Sequence, residues 1–315
     1  MRIIHARRKV FDKDYAFENK MTLLVWILSI IKWKEYNNTI KLYCDNYTLE
    51  NIKKIGFDIL YNEIDSTYLE DKNVCNGINF NWYWAMPKLL ALRHEVIDLG
   101  NNIVIADQDV VPMSDVSRMW NNTDIAVWSN KEYYETRSVY NKLQEISLPE
   151  NYKLPEWFTG IARPLNTGIL HIKSKEIVEL FTGEALKWVR NNQNNKKNTR
   201  CQTMCNVEQR MLGEFLTGTG RGYYTVQPIN AGIFNKNAIH THGYKDFIEK
   251  LKDNKPEVYE RWIINILLMI RKSNKVYFNK LINLKEFSDE KKYFEKNGYE
   301  VKEVIEELKQ YNDIF

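Results

Sequence analysis

Two rhythms alternate along this chain. Short unbroken apolar runs stand between longer stretches whose apolar residues recur at helical spacing. Residues 2–6 (RIIHA) predict a first strand, and the run 22–33 (TLLVWILSIIKW) predicts a helix buried on nearly every side. Further strands are predicted over 39–45, 57–63, 103–106, 124–129 and 167–172. After Pro87, the spacing of Leu89, Leu90, Leu92 and Val96 predicts a helix, and a strongly periodic one is expected over 174–192. A strand without alternation is covered on both faces, as parallel strands are. Strands interleaved with helices in this way indicate an α/β fold on a mixed, mainly parallel sheet flanked by helices.

The character changes near residue 246. Residues 261–272 form an apolar helical stretch, and residues 289–311 are charged with helical spacing around a break at Gly298. The expected organisation is an α/β unit over 1–245 and a helical C-terminal extension over 246–315. Trp262, Ile263, Ile266, Leu267 and Ile270 are expected to pack back on that unit, with a membrane or a partner subunit as the alternative. The asparagine-rich tract 191–199 reads as a solvated loop, or else as a flap ordered by substrate.

Composition narrows the classes. Of the 315 residues, 44% are hydrophobic and 27% charged, which is ordinary for a soluble globular protein. A net charge of +4 is too mild for a nucleic-acid protein; it suits an anionic small ligand or loose contact with an acidic membrane face. The 22–33 run is too short to cross about 30 Å of hydrocarbon. Acidic residues precede it (Asp12, Asp14, Glu18) and no small-residue cleavage site follows, so a signal peptide is not expected. A cytoplasmic protein, at most peripheral to the inner face of the membrane, is the expectation. Cys44, Cys75, Cys201 and Cys205 are too few for a disulfide scaffold and read as thiols in a reducing compartment.

Candidate chemistry begins at IVIADQDVVP, residues 103–112. A buried strand runs straight into Asp107, Gln108 and Asp109. Two like charges so close resist joint ionisation unless a cation sits between them. Three readings are open: a metal clamp for a nucleotide diphosphate, the nucleophile pair of a haloacid-dehalogenase-type phosphatase with Val111 in the expected place, or a plain surface turn. In PLNTGILHIKS (164–174), the Asn166 amide suits sugar hydroxyls, and Gly168 permits close approach to the backbone. AIHTHGYK (238–245) offers His240 or His242 as a third ligand beside two carboxylates. There Lys245 supplies a point charge for phosphate, and Gly243 lets backbone N–H groups face an anion. GTGRGYY (218–224) reads as a turn rather than a phosphate loop. Trp82, Tyr83, Trp84, Tyr133 and Tyr134 read as packing, with stacking on acceptor sugars as the alternative.

Taken in order, KLLALRHEVIDLGNNIVIADQDVVP, NTGILHI, EQRML and HTHGYK resemble the glycosyltransferases of GT-A fold. The likeness is greatest to family 8, which includes the glycogenins and lipooligosaccharide galactosyltransferases, and to bacterial relatives; it spans residues 2–245. It implies that Asp107, Asp109 and His240 bind Mn²⁺ or Mg²⁺, with His242 as a substitute ligand. It places Asp107 and Gln108 by the nucleotide, Lys88 where a basic residue reaches the donor, and Asn166 and Gly168 around the transferred sugar. His5, Ala6 and Arg7 would lie near the base, and Gly243 and Lys245 at the diphosphate. Glu208 and Gln209 match an acidic-Gln pair near the reacting carbon, with glutamate where the family has aspartate. The implied activity is hexose transfer from a nucleotide sugar, a UDP-sugar first, to a glycan or glycolipid acceptor with retention. Its rivals are a phosphohydrolase using Asp107 as nucleophile and a non-catalytic nucleotide-sugar or glycan-binding protein. A phosphatase would carry its aspartates near the chain start and a later acidic magnesium motif; this chain has neither.

Overall fold

A computed structural model describes residues 1–10, 15–36, 38–121, 123–129, 148, 152–191, 200–226, 238–241 and 244–299. Strand β1 (Arg2–Arg7) is central, with Ile3 and Ile4 buried in the two opposite cores. Helix α1 (Lys20–Glu35) follows, capped by Asn19, whose side chain accepts from the Thr22 N–H at 2.8 Å. Most of its side chains are buried, as its apolar run requires. Strand β2 (Thr39–Cys44) lies parallel to β1. Helix α2 (Asn46–Ile55) is capped by Asp45 and stopped by Gly56, whose φ of 80° is a left-handed terminator.

Here one expected element fails. Residues 57–63 do not form a strand: a 3-10 turn covers Asp58–Leu60, and β3 is only Glu63–Asp65. Phe57, Leu60 and Tyr61 fold inward against α1, with the Trp26 and Phe57 rings 5.1 Å apart. Their apolar character serves one core from a turn, which a short window cannot tell from a strand.

Helix α3 (Met86–Arg93) begins with Pro87 in its first turn and runs on into a π-helical turn, His94–Asp98. Strand β4 (Ile103–Ala106) is wholly buried; β5 (Val110–Pro112), β6 (Ile125–Ser129) and β7 (Asn166–Ile172) follow. Helix α4 (Lys175–Arg190) is capped by Ser174. Helix α5 (Arg200–Cys205) leads through a second π-helical turn, Asn206–Arg210, into α6 (Met211–Gly218). Then come β8 (Tyr224–Thr225), β9 (Ala238–His240), α7 (Tyr244–Asn254), α8 (Pro256–Ser273), α9 (Lys275–Leu281) and α10 (Ser288–Asn297).

Seven strands form one sheet in the order β3-β2-β1-β4-β7-β6-β8, and β5 and β9 pair separately. Among the described residues, β7 alone runs against the rest of the large sheet, so the sheet is mixed and mainly parallel. One core lies between the sheet, α1 and the C-terminal helices; the other lies under α3, α4 and α6. Trp262, Ile263, Ile266, Leu267 and Ile270 are all buried, in the same core as Leu24, Ile27 and Ile31 of α1. The apolar stripe of α8 thus covers α1. The expected last helix is described up to residue 299, and the tract 192–199 lies outside the described residues. No described helix is long and apolar enough to cross a membrane. Cys44, Cys75 and Cys205 are free thiols.

Candidate active site

The Asp-x-Asp segment is a tight turn at the carboxyl end of β4. The Asp107 N–H donates to the Gly168 carbonyl at 2.8 Å, and the Val110 N–H closes the turn on the Asp107 carbonyl at 3.1 Å. Ser29 of α1 donates its hydroxyl to the Val110 carbonyl at 2.6 Å. Gln108 ropes the turn to the end of β1, its Nε2 donating to the Ala6 carbonyl at 3.0 Å. The chain then enters β5, which pairs antiparallel with β9 so that Val110 faces His240. The Thr241 N–H donates to the Asp109 carbonyl at 3.1 Å. That short ribbon delivers a histidine from far along the sequence to both aspartates.

His240 Nε2 stands 3.4 Å from Asp109 Oδ1 and 3.9 Å from Asp107 Oδ2. One ligating atom from each of the three residues lies within 4.8 Å of the others. Two carboxylate oxygens and an imidazole nitrogen suit Mn²⁺, and a site dominated by oxygen suits Mg²⁺. The donor set therefore fits a divalent cation.

Gly168 explains how the imidazole fits. A Cβ at that position would lie 2.5 Å from His240 Cε1 and 2.7 Å from Nδ1. The histidine ring packs into the space left by the missing side chain. Trp128 meets the same ring edge-on, with centroids 5.5 Å apart and planes at 80°. Asn166 Oδ1 accepts from the Gly168 N–H at 2.9 Å, so this amide braces the strand next to the ring.

Lys88 is buried beside the turn. Its ammonium donates to Asp107 Oδ1 at 2.9 Å, to the Thr167 carbonyl at 3.1 Å, and to Glu208 Oε1 in a short contact. Burial alone would push the lysine pKa down, but Asp107 and Glu208 outweigh it and hold the pKa above the ordinary value. Glu208 is buried too; desolvation raises its pKa against the pull of Lys88, with Asp107 adding repulsion. Asp107 and Glu208 share the Lys88 ammonium, while Asp109 stands by His240.

His5 is fully buried and pairs through Nδ1 with the Tyr61 hydroxyl at 3.1 Å. Burial lowers its pKa to about 3 despite the opposing field of Asp109, so the ring is neutral near pH 7. The Arg7 guanidinium lies over the Trp26 ring, 5.4 Å from its centroid. Gln209 adjoins Glu208 in the π-helical turn, and its carbonyl accepts from the Leu165 N–H at 3.1 Å. Gly243, His242, Tyr133 and Tyr134 lie outside the described residues; Lys245 falls in the first turn of α7, with only its backbone described. Of the aromatic cluster before α3, Tyr83 is fully buried.

Sequence reasoning passed over Thr167, Trp128 and Ser29. Thr167 sat in view inside the NTG run. Trp128 and Ser29 carried no signal, because each matters only through a partner remote in sequence.

The Asp107, Asp109 and His240 cluster, which could hold a metal ion, lies at the carboxyl end of β4, where open α/β sheets take their ligands. Fold and cluster together are those of an α/β protein with a ligand site at the ends of its strands. The chain belongs to the nucleotide-diphospho-sugar transferase family, matching it over residues 35–278. No curated protein gives a significant match to the chain. The matched span contains α3, the aspartate turn, β7, the π-helical turn with Glu208, and His240, and it runs on through α8.

Proposed function

We propose that the protein is a metal-dependent glycosyltransferase of the family 8 kind. It moves a hexose from a nucleoside diphosphate sugar, UDP-sugars foremost, to a glycan or lipid-linked acceptor with retention of configuration. The observation that carries this reading is the meeting of Asp107, Asp109 and His240 at one point within a family that acts on nucleotide sugars.

Asp107, Asp109 and His240 would hold Mn²⁺ or Mg²⁺. Such an ion, when bound, supplies Lewis-acid stabilisation of the charge that builds on the departing nucleoside diphosphate. Lys88 holds Asp107 in place from behind. Gly243 and Lys245, just past β9 in sequence, are assigned to the diphosphate, and His5, Ala6 and Arg7 to the base side at the end of β1. Asn166 and Gly168 border the sugar. Glu208 and Gln209 are assigned to the neighbourhood of the reacting carbon, where an oxocarbenium-like state forms. The helices of 246–315 are an extension to this catalytic unit. A cytoplasmic enzyme working at the membrane's inner face fits a lipid-linked acceptor.

A panel of nucleotide sugars, assayed for nucleoside diphosphate release with Mn²⁺ and with a chelator, tests the proposal. The expected result is Mn²⁺-dependent turnover of a UDP-hexose that Asp109→Ala and His240→Ala both abolish. Chelator-insensitive turnover retained by both variants would overturn it. Phosphate release from simple phosphoesters, unaffected by His240→Ala, supports a phosphohydrolase instead. UDP binding without turnover supports a binding protein.

A further inference from the structure

Lys88 has three protons to give, and each has an acceptor: Asp107 Oδ1, the Thr167 carbonyl and Glu208 Oε1. The same Glu208 oxygen accepts the Thr167 hydroxyl at 2.5 Å. Thr167 is fully buried, and Glu208 is 4% exposed. Glu208 rides on the π-helical turn Asn206–Arg210, where the extra residue in the turn re-aims side chains relative to a plain helix. Through Oε1 its carboxylate joins charge-assisted contacts that lead, through one ammonium, to Asp107. Glu208 Oε1 serves two donors here, the Lys88 ammonium and the Thr167 hydroxyl.

We infer that Thr167 and Glu208 are positioning residues, which act through Lys88 to set the Asp107 carboxylate at the clamp. The inference rests on the proposed transferase reading and assigns a division of labour within that site. Removing the Thr167 hydroxyl lets Glu208 turn, loosens Lys88, and so frees Asp107. The consequence falls on metal and nucleotide binding before any chemistry on the sugar. Partners behind metal ligands commonly account for tenfold or more in metal affinity.

The test is calorimetric titration of Mn²⁺ into the full chain saturated with UDP, a probe with no sugar to contact. Wild type, Thr167→Val, Thr167→Ser and Glu208→Gln are compared, with melting temperature measured for each. Thr167→Val and Glu208→Gln are expected to weaken Mn²⁺ binding roughly tenfold, whereas Thr167→Ser stays near wild type. In the Thr167→Val, Glu208→Gln double variant the loss is no greater than in the worse single variant, because both act on one lysine. If Glu208 instead works on the sugar, Glu208→Gln binds Mn²⁺ as wild type does while kcat collapses, and the inference is overturned. A Thr167→Ser protein as weak as Thr167→Val overturns it too. Should Thr167→Val fail to fold, Glu208→Gln and Thr167→Ser still decide. Wild type that binds no Mn²⁺ with UDP would take down the transferase reading itself, an outcome separate from normal binding that the variants leave untouched.

Discussion

Gly168→Ala replaces one hydrogen with a methyl group and is expected to disable the clamp. The new Cβ would stand 2.5 Å from His240 Cε1, about 0.9 Å inside the 3.4 Å at which ordinary contact begins. The ring cannot simply slide away. Trp128 meets it edge-on at 5.5 Å, and β9 is tied to β5 through Val110 and Thr241. Relief must come from swinging the imidazole off its rotamer or lifting β9, either of which withdraws Nε2 from the aspartates. Overpacking of this kind costs about 1–3 kcal/mol. At about 1.4 kcal/mol per decade, the same energy taken from metal binding corresponds to roughly fivefold to a hundredfold in affinity. Mn²⁺ titration with UDP present, in wild type and in Gly168→Ala, reads the loss directly. A double-mutant cycle isolates the cause: in a His240→Ala background, Gly168→Ala should cost almost nothing further, since the atoms it strikes are gone. Gly168→Ala with wild-type Mn²⁺ affinity, or equal losses in both backgrounds, would refute the seat described for the imidazole.

Two further predictions rest on groups outside the clamp. His5 is held at about pKa 3 by burial against an ordinary value of 6.5, so between those values the unfolded chain binds a proton that the folded protein refuses. Stability therefore falls as pH drops below 6.5, by up to about 3 kcal/mol at pH 4.5 from this residue. His5→Gln should flatten the pH dependence of urea-unfolding stability over that window; an unchanged slope contradicts the assignment. Glu214 of α6 is fully buried and accepts from the N–H groups of Thr159, Gly160 and Ala162 at 3.0, 2.9 and 3.3 Å, with Arg210 at 3.7 Å. Glu214→Ala should lower unfolding free energy by about 3–5 kcal/mol in urea denaturation; a loss below about 1 kcal/mol would show that the loop over α6 is held by other contacts.

What could be read from the chain without coordinates followed from local patterns. The four apolar residues before Asp107 announced a strand covered on both faces, and β4 is buried throughout. The apolar stripe of residues 262–270 announced a helix with one buried side, and it packs on α1. The residue types of a cation clamp were visible too. Their meeting with His240 followed from the family resemblance and not from any local pattern, because it depends on β5 pairing with β9, two strands of three residues each that are far too short for periodicity to flag. The segment 57–63 misled for the opposite reason: its apolar residues obey a burial rule that turns and strands share. Gly168 was legible as a position needing no side chain, whereas the occupant of the gap was not, since His240 arrives from another sheet. The resemblance placed Lys88 where a basic residue reaches the donor. Only the folded arrangement shows its three protons already shared among Asp107, Thr167 and Glu208.

The account turns on one ion shared by Asp107, Asp109 and His240. Electron paramagnetic resonance of Mn²⁺, titrated against the chain with UDP present, counts bound ions directly. The prediction is a single tight Mn²⁺ per chain, with a nitrogen hyperfine coupling that changes on ¹⁵N labelling of histidine, and binding lost in Asp109→Ala and His240→Ala. Stoichiometric Mn²⁺ binding that survives both substitutions, or an absence of binding in the wild type, would contradict it.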